Sequence, residues 1–388
     1  MALSELIKVK YPQSDLFVIQ AGLPQKHTQL DNLSQVFTLP HPFMNRQHFR
    51  QALNASNIDS VLRSKICSKI IHSQNPKLFI TETFPLGHDA CRYELIPSLV
   101  DAARGGSRIW SIAGYPLLTG KSQNWKNKVM GLYEKIFICC PQEEKIWLRE
   151  FMPNSKQRIE HQEFFDRYAA KINFIGYFLP QGQLIHDKIT KFNSTETKFS
   201  HKVLVLRGSG AVYPKLIAQA ILASDDLPEY FEMTIVTGPA TTNDEWQLFN
   251  RLMHKKRLNN VKLLRVVSHY EDLIKVASVC VATSGYHTSA MLLKYRKRAV
   301  LVPFEGYDKT NFYEQKARAA MLKEKIGAQV ISIKELNAKN LLKAILIAAQ
   351  QKESKQILSK GFFGASSRLN QALTELFGRS QGQIKDQL

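Results

Sequence analysis

Along the chain, short apolar runs rich in β-branched and aromatic residues alternate with amphipathic stretches of roughly 10 to 20 residues, the pattern of strand and crossover helix in a parallel sheet. In the first half this pattern predicts strands at 15–20, 36–39, 77–81, 108–113, 135–139 and 172–175. A helix at 2–10 stands before them, and helices such as 47–72 and 90–103 lie between them. The period then repeats, with strands at 201–206, 232–236, 261–266, 279–282, 299–302 and 328–331.

The stretch 178–200 separates the halves; it is polar and charged, with Pro180, Gly182 and the run Lys191 to Lys198, a composition that suits an exposed linker. The expected organisation is a first Rossmann-like domain over 1–178, a linker over 179–200, a second Rossmann-like domain over 201–364 and a C-terminal crossover segment over 365–388. In that segment Leu369, Leu373 and Leu376 recur at helical spacing, which predicts a helix over 366–377 that packs back on the first domain and ends at Gly378. The fold class is therefore α/β, with two doubly wound domains whose strand ends face a central cleft, where open α/β sheets bind ligands. No solenoid repeat is present. A Rossmann-like domain normally opens on a strand and a Gly-rich turn, whereas this chain opens in a helix, so a first strand and its loop are expected to be missing. Loss of an edge strand and a start codon placed too late both account for that.

At 388 residues and 44% hydrophobic content, each half has enough apolar material for its own core. The 53 Lys and Arg against 33 Asp and Glu give a formal charge of +20, which favours polyanionic partners. The basic residues Lys255, Lys256, Arg257, Lys294, Arg296, Lys297 and Arg298 carry no aromatic interleaving and match no nucleic-acid module, so an anionic membrane surface fits this charge better than nucleic acid. The five cysteines form no Cys-x-x-Cys pair and are odd in number, which argues against a zinc site or a disulfide framework and fits a reducing cytoplasm. Glu5, Lys8 and Lys10 interrupt any apolar leader, so the expectation is a soluble chain with at most peripheral membrane contact.

The strongest single feature is the run from Val279 to Leu293, a buried strand that ends in Ser284-Gly285 and turns directly into a helix. Such a turn aims backbone N–H groups and the positive end of the helix dipole at one spot, and a pyrophosphate is its natural ligand. Ser284, Thr288 and Ser289 bring hydroxyl donors; the bland alternative makes Ser284 an N-cap and Gly285 a tight turn. A second Gly-rich turn, Gly208-Ser209-Gly210, follows the first strand of the second half and falls on the same sheet edge. Glu314 and Arg318, four apart on one helix face, read first as a surface ion pair worth a few tenths of a kcal/mol. In the first half Glu82 ends a strand and is the candidate general base, with His88 and His41 as weaker candidates. Asp-x-Asp, the full Walker-type Gly-x-x-x-x-Gly-Lys-Ser/Thr and His-Glu-x-x-His do not occur, so no metal or cofactor is called for.

These segments, in this order, resemble a bacterial family of predicted glycosyltransferases of the GT-B type, more distantly similar to the transferase that adds N-acetylglucosamine to lipid-linked peptidoglycan precursors. The segment from Glu82 to Pro97 looks like the family's Phe-Pro-Phe-Gly followed by Phe-Glu-Leu-Leu-Pro, and Ile175-Gly176-Tyr177 resembles the strand closing its first domain. The family's Gly-Tyr-Asn-Thr helix start appears as Gly285-Tyr286-His287-Thr288, and its Pro-ending strand with a later Glu-Gln and Arg appears as Val302-Pro303, Glu314-Gln315 and Arg318. The resemblance implies that Ser284, Gly285 and Thr288 meet a diphosphate and that Gln315 reaches the donor sugar or ribose. The chain departs from the pattern at Met291, where relatives hold the ribose with a Glu, at Ala113-Gly114-Tyr115-Pro116, where an Arg-Asp pair is replaced, and in the first loop.

The expected activity is inverting, metal-independent transfer of a hexose or N-acetylhexosamine from a nucleotide-diphosphate sugar, UDP-linked, to a hydroxyl of a lipid-linked or polysaccharide acceptor. The expected location is the cytoplasm, at the inner face of the membrane. A sugar-nucleotide epimerase and a non-catalytic nucleotide- or membrane-binding relative are the alternatives.

Overall fold

The computed structural model describes residues 2–21, 34–39, 58–87, 89–114, 124–144, 150, 152, 155–179, 200–208, 213–256, 258, 260–267, 270–305, 313–352, 354, 358 and 360–385. The chain divides into two compact units, one formed by 1–142, 154–181 and 360–388 and the other by 143–153 and 182–359. The division after residue 181 falls inside the stretch read as a linker, of which 180–199 lies outside the described residues. The grouping of 143–153 with the second unit has no counterpart in the sequence reading, and the second unit ends at 359 rather than 364.

The first unit runs α1 (Ala2–Lys10), β1 (Phe17–Ala21), β2 (Gln35–Leu39), α2 (Ile58–Gln74), β3 (Leu78–Glu82), α3 (Arg92–Arg104), β4 (Arg108–Ala113), α4 (Asn124–Met130), β5 (Lys135–Ile138), α5 (Ser155–Arg167) and β6 (Ile172–Phe174). Strands β3 to β6 form a parallel sheet in sequence order, while β1 and β2 pair only with each other among the described residues. Ile109, Trp110, Ser111 and Ala113 of β4 are all buried, as expected of a parallel strand covered on both faces. Helices α2 and α3 are joined through a buried pair, in which Arg63 Nε and Nη2 donate to the Glu94 carboxylate at 2.5 and 3.0 Å. The stretch expected as a helix over 47–72 is described only from residue 58, as α2.

The C-terminal helix Ala365–Lys385 belongs to the first unit. Leu369 and Leu373 are buried, Tyr11 meets Phe377 edge-on at 5.2 Å, and Lys135 pairs with Glu375 at 3.0 Å. The helix does not stop at Gly378 as the sequence suggested but continues to Lys385. One helical glycine costs only about 1 kcal/mol, and Arg379, Gln381, Gln383 and Lys385 are good helix formers. The chain enters this segment across Gly176, whose φ is +81° and whose missing Cβ leaves room for the carbonyl oxygens of Gly361 and Phe362.

The second unit runs β7 (His201–Leu206), α6 (Pro214–Ala223), β8 (Phe231–Val236), α7 (Asn243–Lys256), β9 (Val261–Leu264), α8 (Tyr270–Val276), β10 (Val279–Ala282), α9 (Tyr286–Lys294), β11 (Ala299–Leu301), α10 (Tyr313–Ile326), β12 (Gln329–Val330) and α11 (Ala338–Gln350). The sheet is parallel throughout in the order β12-β11-β10-β7-β8-β9. Val203, Val205, Ile235, Val281 and Val300 from the strands meet Ile217, Ile221, Leu341 and Ile345 from the helices in one core. Helix starts are fixed locally. Thr242 and Glu245 exchange side-chain to backbone bonds of 3.2 Å as a capping box for α7, and the Asn337 side chain accepts from the Asn340 N–H at 2.9 Å ahead of α11. Because the chain leaves β7 toward β8 and returns on its other side at β10, the order reverses between β7 and β10. Such a switch point opens a crevice at the carboxyl ends of those two strands.

The crossover at Gly176 carries a stability prediction. Gly176→Ala sets a Cβ against the Gly361 and Phe362 carbonyls and forces a positive φ on alanine, so the unfolding free energy from urea titration should fall by at least about 2 kcal/mol. Glu94→Gln should cost about 3 kcal/mol by stranding the Arg63 charge in the core.

Candidate functional site

In the second unit the β7–β10 register pairs Leu206 with Ala282, so the chain leaves the two strands side by side at Arg207-Gly208 and Thr283-Ser284-Gly285. Gly208, at φ +84°, and Gly285 both have the Thr283 hydroxyl as the nearest atom to the place a Cβ would take, at 3.8 and 3.9 Å. The two Gly-rich turns singled out in the sequence therefore lie against each other; Ser209 and Gly210 are outside the described residues. Gly238, after β8, closes the same edge, since a Cβ there would overlap the Gly208 carbonyl oxygen.

Gly285 is the N-cap of α9, with φ −65° and ψ 156°, and no side chain caps the helix. These angles are open to any residue, and the space where a Cβ would go is clear. Nothing among the described residues of the unit thus requires glycine at 285, unlike Gly208 or Gly238. A position kept bare at an uncapped helix start suits close approach by an anion to the first-turn N–H groups. Thr288 is half-buried and His287 exposed beside it, and the Tyr286 and His287 rings meet edge-on at 5.1 Å.

Ser284 does not act as the N-cap. It is fully buried, and its hydroxyl donates to the Gln315 carbonyl at 2.7 Å. Ser289, expected among the hydroxyl donors, is buried, and its hydroxyl makes no hydrogen bond among the described residues. Met291 is buried too, like every residue from Ser289 to Leu293 of α9, so it packs within the unit. Gln315 accepts the Phe304 N–H on its side-chain oxygen at 2.9 Å, which leaves its amide nitrogen as the group with donors to offer.

The Glu314–Arg318 pair is not the surface ion pair that its spacing suggested. Arg318 has 0% side-chain exposure; Nη2 donates to Glu314 at 2.6 Å and Nη1 to the Ser284 carbonyl at 2.8 Å. Helical spacing fixes that two side chains share a face, but not whether that face is covered, and here it is turned to the Ser284 loop. Arg207 is a second buried guanidinium at this edge, held by Glu245 at 2.8 Å, and the sequence reading gave it no role. Its signal was a lone charge closing the apolar run Val203 to Leu206. Tyr213 was missed as well. At φ +50° it sends its hydroxyl to the Pro303 carbonyl at 3.3 Å and receives the Glu305 N–H at 2.8 Å, tying α6 to the end of β11.

In the first unit Glu82 ends β3 with its side chain exposed, and Thr83 follows at φ +65°. The Phe84 N–H donates to the Glu82 carbonyl at 2.7 Å, which makes a tight three-residue turn. A β-branched residue at positive φ is strained, and the turn is held by its surroundings. The buried Phe84 carbonyl accepts from the hydroxyls of Thr81 and Ser111, each at 2.7 Å, and of Tyr133 at 3.3 Å. Burial raises the Tyr133 pKa, so this hydroxyl stays protonated and available to donate. Phe84 also stacks on Trp125 at 5.4 Å. Beyond the turn, the fully buried Lys126 ammonium lies 3.2 Å from Asp89; burial pulls its pKa down, and Asp89 partly restores it. His41, His88, Tyr115 and Pro116 are outside the described residues. Among the described residues no three His, Cys, Asp or Glu side chains converge as metal ligands, and no helix is long and apolar enough to cross a membrane.

The strained turn generates a prediction. A Cβ at Gly87 would meet Thr83 Cγ2 at 2.6 Å, so Gly87→Ala should lower the thermal midpoint, whereas Thr83→Gly relieves both the left-handed strain and the clash. In the double variant most of the Gly87→Ala cost should vanish, a coupling of about 1 kcal/mol or more in the thermodynamic cycle.

Comparison with known proteins bears on the second unit and on the fold. Residues 202–372 match the family described as Glycosyltransferase family 28 C-terminal domain. No match was found among curated proteins by sequence. Solved structures with the same fold include MurG of Acinetobacter baumannii (11% identity, 96% of this chain and 94% of that one, TM-score 0.54). A UDP-glucosyltransferase of Polygonum tinctorium capable of glucosylating indoxyl is also similar (12% identity, 97% and 96% covered, TM-score 0.59). So is the UDP-GlcNAc 2-epimerase of Methanocaldococcus jannaschii (11% identity, 88% and 86% covered, TM-score 0.51). Residues 202–372 thus match the glycosyltransferase family 28 C-terminal domain, and the chain shares the GT-B fold of these structures.

Proposed function

We propose that the protein transfers a hexose or N-acetylhexosamine from a nucleoside-diphosphate sugar, UDP-linked, to an acceptor hydroxyl, with inversion and without a divalent metal ion. The observation that carries this reading is Gly285, a bare and uncapped helix start that the unit itself does not need, set beside Gly208 at the switch point of the sheet. As the glycosidic bond breaks, negative charge grows on the leaving diphosphate. Fixed N–H groups and the α9 dipole would stabilise it without reorganising, and without the cation that many transferases use. Thr288 supplies a further hydroxyl donor, and Glu314 and Gln315 would hold sugar or ribose hydroxyls. The acceptor belongs to the first unit in this reading, where exposed Glu82 on its rigid turn takes the hydroxyl proton as general base. A lipid-linked acceptor at the cytoplasmic face of an anionic membrane accords with the net charge of +20.

Calorimetric titration with UDP, GDP, dTDP and their common sugar conjugates tests the donor half. One nucleotide should bind saturably, and Gly285→Trp should abolish binding while leaving the thermal midpoint close to wild type, since the added ring occupies the ligand's place rather than the core. If a folded wild-type protein binds none of them, the reading is wrong. With a donor and an acceptor in hand, turnover should persist in excess EDTA, and Glu82→Gln should lower kcat by about 10²- to 10⁴-fold with little change in donor affinity. Isomerised donor formed without acceptor would move the protein to the epimerases, which share this fold.

A further inference from the structure

We infer that Arg318 is a positioning residue of the donor site, which orients and polarises the Ser284–Gly285 peptide so that the Gly285 N–H becomes a fixed donor to the diphosphate. This rests on the function proposed above and extends it to a side chain that touches no ligand.

A guanidinium with 0% side-chain exposure is a poor way to stabilise a core, because the desolvation of a buried ion pair commonly cancels its attraction, and apolar packing of similar volume does as well or better. The charge must therefore be read from where its donors go. Nη1 donates to the Ser284 carbonyl at 2.8 Å, Nη2 to Glu314 at 2.6 Å, and the Tyr286 ring centroid lies 5.8 Å from Cζ. The Ser284 carbonyl is one end of the peptide whose other end is the Gly285 N–H.

Two consequences follow from peptide chemistry. The peptide is planar and trans, so its C=O and N–H point in opposite directions. Arg318 holds the oxygen on the buried side, and the Gly285 N–H is thereby aimed away from the guanidinium, at the residue where the chain becomes half-exposed. A cation bonded to the carbonyl also draws electron density along the amide and makes its N–H a stronger donor. The grip is reinforced from the other side. Ser284 Oγ donates to the Gln315 carbonyl at 2.7 Å, and Gln315 Oε1 accepts the Phe304 N–H at 2.9 Å. The ends of β10 and β11 and the start of α10 are thus closed into one hydrogen-bonded ring, in which Arg318 alone carries a charge to the turn itself. By holding Glu314 with its second nitrogen, the same planar group also sets the distance between the diphosphate turn and the carboxylate proposed for the sugar. An ammonium cannot reproduce that geometry.

The test compares Arg318→Met, which keeps much of the volume, and Arg318→Lys, which keeps the charge. Affinities are measured for UDP and for uridine, or for the best-binding nucleoside diphosphate and its nucleoside, alongside the thermal midpoint. In Arg318→Met the diphosphate should bind about tenfold or more weakly while the nucleoside stays within about twofold; Arg318→Lys should recover part of the loss. A purely structural role would lower the midpoint and move both ligands together. If Arg318→Met does not fold, the same selective loss must appear in Arg318→Lys, together with a shift of the Gly285 amide resonance in the free protein. Wild-type affinity for the diphosphate in a folded Arg318 variant overturns the inference and leaves the proposed function standing. A wild-type protein that binds no nucleoside diphosphate overturns both.

Discussion

A parallel sheet delivers every one of its strand ends to the same edge, and in this chain that constraint governs what the sequence can be used for. In the second unit the edge collects Gly208, Gly238, Thr283 to Gly285 and Phe304 within a few residues of buried strands. The reversal of order between β7 and β10 then makes this edge a topological switch point, where open sheets bind ligands. Bare backbone is concentrated there for different reasons. Gly208 and Gly238 are required by their own conformation and mutual approach, whereas Gly285 is conformationally ordinary. The fold accounts for the first two. Nothing among the described residues accounts for the third, which is what the proposed donor site would explain.

Buried charge follows the same edge. Arg207 and Arg318 are fully covered guanidiniums at the ends of β7 and β10, each tied to a carboxylate that retains some exposure, Glu245 and Glu314. In the first unit Lys126 is covered likewise and pairs with the more exposed Asp89 in the loop after β3. Ion pairs so placed add little net stability. Their common effect is to hold a loop by its backbone or its carboxylate from beneath, which a mobile surface lysine cannot do. The triple hydroxyl grip on the Phe84 carbonyl does the same for the Glu82 turn with neutral groups. Both units therefore spend buried polar groups on the rigidity of their strand-end loops.

The parts legible in the sequence were those set by local pattern. Strands β4, β7 and β10 fall on the expected residues, because short apolar runs that carry β-branched residues and follow a Ser leave little freedom. The Ser284-Gly285 turn was legible for the same reason. What escaped was set by tertiary covering. The i, i+4 spacing of Glu314 and Arg318 is identical in a solvated and a buried pair, so burial had to come from the Ser284 loop, thirty-odd residues away in the chain. The roles of Arg207 and Tyr213 likewise depend on partners on other elements. Gly378 misled because a helix terminator and a tolerated helical glycine look alike without the packing that carries the helix past it. The separate pairing of β1 with β2 and the grouping of 143–153 with the second unit have no local signature at all.

The net charge of +20 and the donor site are separate matters, and their physics differs. Surface lysines such as Lys255, Lys262 and Lys339 act through water, over a Debye length of about 8 Å at physiological salt, and attract any polyanion without regard to shape. Among the described residues, the switch-point site has no such cation at its centre. Its attraction for an anion comes from peptide N–H groups and a helix dipole, backed by guanidiniums already matched to carboxylates, so it is short-ranged, directional and little screened. In the proposed function, a diphosphate there would be selected by geometry, while an anionic membrane or polymeric acceptor would be gathered by bulk charge. Raising the ionic strength must therefore separate the two, loosening whatever the surface lysines hold well before it loosens the nucleotide.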